Sequence, residues 1–269
     1  KDGIIKTFER HSRVGMPTLK DFVEDVEWLR EQGAKKVFLK TGAYRPEVVA
    51  WTLKVASEAK IDVVTFDGAG GGTGMSPVPM MDECATPTVY LEAQVLKCLE
   101  ILKKKGKHIP DIAMAGGFIN ETQIFKAIAM SNFGDGPYVK AISMARAPIT
   151  AVMKATYFVE LAEEGKLPST FAKLYGDSPE KFFAVIPELK KIFGDEWKKL
   201  PPGAIGLYSY FVDRIGTGLR QLMAGARKWK LELLDRKDLA SLTERAGRVT
   251  GIPTIDELAE EEIERILAD

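Results

Sequence analysis

From Lys36 onward the chain alternates short apolar runs with stretches whose apolar residues recur three and four apart. KVFLKTG (36–42), IDVVTFDG (61–68), DIAMAGG (111–117) and YVKAISM (138–144) read as strands, because each is short, apolar and closed by glycine or a turn. Between them lie helical patterns. Pro46 sits where the first turn of a helix tolerates it, and Val49, Leu53 and Ala56 follow at helical spacing. Thr86-Pro87 starts another helix with a stripe of Leu91, Val95, Cys98, Leu99 and Leu102. Asn120 and Gln123 stand in capping-box position before Ile124, Ala127 and Ile128. A fourth helix is expected after Pro148.

Four consecutive strand–helix units predict an α/β fold with a parallel sheet, because each parallel crossover needs a helix. The near-continuous apolar strands suit a sheet covered on both faces. A closed (β/α)8 TIM barrel needs eight such units, so four make half of one. A half-barrel leaves two open edges and a bare inner face, which predicts closure by an N-terminal barrel half or by a second chain. We divide the chain into an N-terminal segment with one helix (1–35), a half-barrel (36–165) and a C-terminal helical region (166–269). In the last region SPEKFF (178–183) begins a helix, Tyr208 to Ala226 reads as another, and Thr254 with Glu257 caps a final acidic helix ending near Leu267.

Composition narrows the function classes. Hydrophobic residues make up 45% and charged residues 28% of the 269, as in a soluble globular protein. Basic and acidic residues number 38 each, so no net charge draws the chain to nucleic acid or an anionic membrane. No apolar run approaches the ~18 residues of a membrane span, and no apolar stretch near the N-terminus resembles a signal peptide. The first residue is Lys1 rather than Met, so we expect sequence upstream of it. Two cysteines, Cys84 and Cys98, and two histidines, His11 and His108, lack metal-ligand spacing; no metal site is expected, and a cytoplasmic location fits the reduced thiols. Cys98 falls on an apolar stripe and reads as a buried thiol. Two cysteines cannot supply the four thiolates of an iron–sulfur cluster.

Four features could carry chemistry. Gly116-Gly117 precedes a helix whose N-terminus offers N–H groups to an anion, although a tight turn explains the pair equally well. The turn Met144-Ala145-Arg146 follows the next strand, and such loops after two successive strands form a common phosphate site in barrels. Lys40 lies inside an apolar strand and points either inward or outward, the latter with its stem snorkelling at the strand end. The loop DGAGGGTGMSP (67–77) holds five glycines within 68–74. It serves as a mobile lid or as a flat backbone surface for a ring or carboxylate. It is neither a Walker motif nor a dinucleotide fingerprint.

The strand with Lys40, the GGTG-x-SP element at 71–77, the Gly116-Gly117 turn and the Ala145-Arg146 turn resemble, in order and spacing, the FMN-binding glutamate synthase family, in its short archaeal-type form. YFVDRIGTGLRQLMAGARKWKLELLDRKDL (210–239) resembles that family's segment after the last strand. The resemblance implies that the four strands are the C-terminal half of the barrel. It implies that Lys40 sits at the flavin, where its charge stabilises the reduced ring. Gly72, Thr73 and Gly74 would line the ring and the 2-oxoglutarate pocket, and Gly116, Gly117, Ala145 and Arg146 would hold the FMN phosphate. The implied reaction is reductive amination of 2-oxoglutarate to glutamate, with ammonia or glutamine-derived nitrogen and an electron-donor protein or domain. The cysteine-rich segment and glutaminase domain of the large glutamate synthases have no counterpart here. Alternatives are another FMN-barrel oxidoreductase, disfavoured because no histidine follows the second strand, and a non-catalytic half-barrel that completes a partner.

Overall fold

The computed structural model describes residues 18–71, 79 and 83–268. The chain forms two compact units. The first comprises residues up to Gly117, Ala127–Ser143 and 235–269; the second comprises Phe118–Lys126 and Met144–Leu234.

The first unit begins with α1 (Leu19–Glu31), fixed by a capping box between Thr18 and Asp21. Next come β1 (Phe38–Gly42), α2 (Pro46–Glu58), β2 (Val63–Asp67), α3 (Thr88–Lys104) and β3 (Asp111–Ala115). The helix α4 (Glu121–Met130) leads to β4 (Val139–Ser143). All neighbouring strands are parallel and ordered β1-β2-β3-β4. This is an α/β half-barrel, and each strand lies within two residues of its expected limits.

The register explains which face is core. Leu39, Val64, Ile112 and Val139 form one row, and Thr41, Phe66, Met114 and Ile142 the next. Val64, Phe66, Ile112 and Met114 are fully buried, as are Leu53 of α2 and Leu91, Val95 and Leu99 of α3. The alternate rows run Lys40–Thr65–Ala113–Ala141 and Gly42–Asp67–Ala115–Ser143. Successive strand side chains point to opposite faces, so these polar and small residues share the other face of the sheet. That face is small and polar toward the C-terminal ends of the strands, with Phe38 and Val63 as large apolar residues at its base. Between Ile112 and Ala113 the register shifts, and Lys140 of β4 is the extra residue.

Both β1 and β4 are edges, as expected. An open β1 edge leads one to expect Val37 and Leu39 to be exposed, but the exposed residue is a different one. Val37 is buried and Leu39 half-buried, whereas Phe38 is 67% exposed. Val37 lies at the strand's base, where its N–H donates to Asp62 Oδ2 at 2.9 Å. The C-terminal part of this unit carries α11 (Glu244–Thr250) and α12 (Ile255–Leu267), numbered after the helices of the second unit. The Thr254–Glu257 capping box forms as expected. Cys98 is half-buried, and burial raises its thiol pKa.

The second unit is helical. It contains α5 (Arg146–Glu163), α6 (Ser169–Tyr175), α7 (Pro179–Phe182), α8 (Ile186–Phe193), a 3-10 turn (Gly194–Lys199), α9 (Pro202–Ser209) and α10 (Gly218–Gly225). Helix α5 begins at Arg146 rather than after Pro148, because proline is tolerated in a helix's first turn. The helix expected from Tyr208 to Ala226 is interrupted: Tyr210–Thr217 is a π-helix between α9 and α10. The core joins Ala155 and Val159 of α5 to Phe183, Ile186, Leu189, Trp197 and Ile205.

Candidate functional site

The chemistry-bearing groups of the first unit gather at the C-terminal ends of β1, β2 and β3, where successive βα turns converge. Lys40 occupies the polar row of β1, so it stands on the face away from the apolar core. Its Nζ lies 3.0 Å from Asp67 Oδ2, with the two side chains 50% and 6% exposed. The pair is diagonal across the β1–β2 ladder, since Lys40 registers with Thr65 and Asp67 with Gly42. The lysine therefore points away from the helices and carries a buried carboxylate as its counter-ion.

Asp67 is buried because the backbone folds over it. A Cβ at Gly71 would lie 1.9 Å from Asp67 Oδ1 and 2.8 Å from Gly116 Cα. Gly116, with φ of +107°, is pressed equally hard: a Cβ there would meet the Gly68 backbone N at 2.5 Å. The turns are laced by hydrogen bonds. The Gly68 N–H donates to Ala115 O at 2.8 Å, and the Thr88 hydroxyl donates to Gly116 O at 2.6 Å. The Ala69 N–H donates to Thr86 O at 3.0 Å. Glycine is required here for backbone-on-backbone contact between the β2 and β3 turns.

Gly117 differs from its neighbour. Its φ is +76°, and the nearest atom to a Cβ built there is Ala69 O at an ordinary 3.7 Å. One glycine of the expected pair thus packs the turn, and the other leaves space beside it. Gly72, Thr73 and Gly74 lie outside the described residues.

In the second unit, Ala145 and Arg146 stand at the start of α5, with Ala145 as N-cap and Arg146 exposed at the first helical position. At the start of α4, Asn120 Oδ1 accepts the Gln123 N–H at 3.0 Å. The reciprocal bond is displaced by one residue, since Gln123 Oε1 accepts from the Ile119 N–H at 2.7 Å. The cap expected from Asn120 is present, and it already satisfies one of the helix's first N–H groups.

The sequence reading assigned no role to Asp67 or Thr88. A carboxylate ending an apolar strand just before Gly68 was the signal for the first. Glu92, one turn beyond Thr88 on α3, also went unassigned. It is 2% exposed, its Oε1 has no hydrogen-bond partner among the described residues, and burial pushes its pKa well up. The described residues contain no group of three or more His, Cys, Asp or Glu placed to hold a metal ion. None of their helices is long and apolar enough to cross a membrane.

Comparison with known proteins bears on the same stretch. Residues 10–144, half of the chain, match the conserved region in glutamate synthase. Cobyric acid synthases from Acidovorax sp. (strain JS42) and Acidovorax ebreus (strain TPSY) are each 32% identical to this chain over 122 residues. Those residues are 45% of this chain and 24% of each synthase, so the match spans about a quarter of these curated relatives. The glutamate synthase match takes in β1 to β4 and every turn of the glycine-packed cluster, and on that ground the chain belongs to the glutamate synthase family.

Proposed function

We propose that the ends of β1, β2 and β3 hold FMN and that the chain is the flavin half of a glutamate synthase-like oxidoreductase. The observation that carries this reading is the combination at one sheet end of a lysine–aspartate pair, a floor of small residues and a glycine turn with room beside it. Thr65, Ala113, Ala115, Ala141 and Ser143 give the face around Lys40 few bulky side chains, which suits a planar ring. At Gly117 the lack of a Cβ leaves space for a close approach of backbone to ligand, as phosphate turns require. The residues present therefore fit the cofactor that the family resemblance implies.

When bound, FMN supplies hydride transfer, here to the imine of 2-oxoglutarate and ammonia, giving glutamate. Lys40 and Asp67 act on the charge at the ring. A cation beside a ring stabilises negative charge that develops there on reduction, and its carboxylate partner offsets part of that effect. Asp67 also fixes the lysine's position by a charge-assisted contact. Ammonia supply and electron delivery fall to other proteins or domains in this reading.

A non-catalytic role, completing a partner's barrel, is favoured by one observation: the sheet has two edges and an exposed Phe38. Flavin titration separates the readings. The enzyme reading expects a yellow complex and quenching of FMN fluorescence. Gly117→Ala should weaken binding severalfold; its Cβ meets nothing closer than 3.7 Å, but its φ of +76° adds backbone strain, so circular dichroism is needed to show that the fold persists. In the complex, Lys40→Met should lower the flavin midpoint potential and Asp67→Asn should raise it. No flavin binding by the chain, whether alone or closed by a second half-barrel, would sink the proposal.

A further inference from the structure

The second unit contains a cavity of about 260 Å³ that the reading above does not use. It is lined by Phe158, Phe171, Phe182, Lys154, Tyr210 and Arg214, among others. Three of its walls are aromatic. Phe158 and Phe171 stack with centroids 4.3 Å apart and planes 8° from parallel, and Phe182 meets Phe171 edge-on at 5.6 Å and 70°. The fourth wall is the helix of α9 and the π segment, whose Gly206, Tyr210 and Arg214 recur every four residues along one side. A π-helix is a poorly populated conformation, and such insertions are found frequently at functional sites.

Charge at this cavity is one-sided. Lys154 and Arg214 are its charged lining residues, and both are cations. Lys154 lies over the Tyr157 ring at 5.5 Å. Arg214 Nε stands 3.2 Å from Glu121 Oε2, which offsets one of the two positive charges. The Tyr210 hydroxyl is engaged, donating to Ile119 O at 2.9 Å, so it fixes the π segment in place. What remains is a set of apolar walls with one cation, Lys154, that has no carboxylate partner among the described residues. The volume lies just below the ~300–1,000 Å³ common for ligand pockets and the pocket opens to solvent, so it suits no more than a ligand with one ring.

We propose that this cavity is a binding site for a small aromatic monocarboxylate. The ring enters edge-on or stacked among Phe158, Phe171 and Phe182, the arrangements that aromatic quadrupoles favour. The carboxylate faces Lys154 and the free side of Arg214. A neutral ligand of the same shape loses the charge contact, and a dicarboxylate brings one charge too many for the net single positive charge.

Saturation-transfer NMR on the full chain tests this with phenylacetate, phenylacetamide and phenylmalonate as probes. Phenylacetate should bind, and the other two should bind more weakly. Lys154→Met should weaken phenylacetate by about two- to fivefold, the range of an exposed ion pair, and Lys154→Arg should restore it. Ser209→Met extends a side chain into the cavity from the helix and should block binding, with circular dichroism confirming the fold. Failure of phenylacetate to bind, or binding that neither Lys154→Met nor Ser209→Met changes, overturns the proposal.

Discussion

Asp67 and Gly71 illustrate how single residues set this site. Gly71 has no side chain, and that lets the backbone close over the carboxylate, since a Cβ would overlap Asp67 Oδ1. Gly116 is under the same constraint with a harder neighbour, the Gly68 backbone, and with φ of +107° that an L residue rarely adopts. Gly116→Ala should therefore cost about 2–4 kcal/mol, because strain and overpacking add where backbone cannot yield. Chemical denaturation would show this as a lower midpoint; an unchanged midpoint would mean that the two turns separate freely. Glu92 makes a prediction of opposite sign. Burial raises its folded pKa above the ordinary 4.5, so the folded state binds its proton more tightly than the unfolded chain does. The stability it contributes is full below pH 4.5 and falls as pH rises through the folded pKa. Glu92→Gln keeps the shape without the titration. Its melting temperature should exceed that of the unsubstituted chain at pH 8 and match it at pH 4. Equal differences at both values would show that ionisation of Glu92 plays no part.

At the scale of elements, α5 and α9 cross through small residues. A Cβ at Gly206 would lie 2.3 Å from Ala155 Cβ, and one at Gly203 would lie 2.7 Å from Val152 Cγ1. Gly206 sits in mid-helix, where alanine would otherwise be better by about 1 kcal/mol, and Gly203 in the first turn. Close approach outweighs propensity here. Gly206→Ala should lower stability by about 1–3 kcal/mol despite the gain in helix propensity, measured by urea unfolding. A stabilised variant would show that the helices can shift apart without loss. The π segment that follows α9 belongs to the same scale. Its sequence, YFVDRIGT, has ordinary helical periodicity, and nothing in that spacing distinguishes it from α-helix. Its geometry is tied to contacts on the α4 start: Tyr210 reaches Ile119 O, Arg214 reaches Glu121, and a Cβ at Gly218 would lie 2.5 Å from Glu121 Cγ.

For the whole molecule, the four-stranded sheet poses a question of closure. Edges at β1 and β4 present unpaired backbone groups, which recruit other strands. Phe38 at 67% exposure and Ala141, also exposed, lie on the face that a closed barrel would turn inward. A second half-barrel, from another copy or from an N-terminal half, would pair both edges at once. Sedimentation of the isolated chain should show dimers or larger species at micromolar concentration. A well-folded monomer there would show that the edges are tolerated without a partner.

The sequence by itself determined the four parallel strands, their order and the helices between them. Strand and helix limits follow from periodicity and turn chemistry, which are local, so β1 to β4, the Pro46 start of α2, the Asn120 cap and the Thr254–Glu257 box were all legible. It also pointed to Lys40 and to Gly116-Gly117, because a charge inside an apolar strand and a glycine pair at a strand end are local anomalies. What only the tertiary structure decided rests on contacts between segments distant in the chain. The partner of Lys40 is 27 positions away on β2 and became visible only through the register. The separate duties of Gly116 and Gly117 depend on where the β2 turn lies, since adjacent glycines read alike in sequence. The π geometry of 210–217 and the aromatic cavity beside it arise the same way, from side chains brought together across five helices. Local pattern fixes the strands and most helices, whereas packing decides the π segment and which of several compatible environments each side chain occupies.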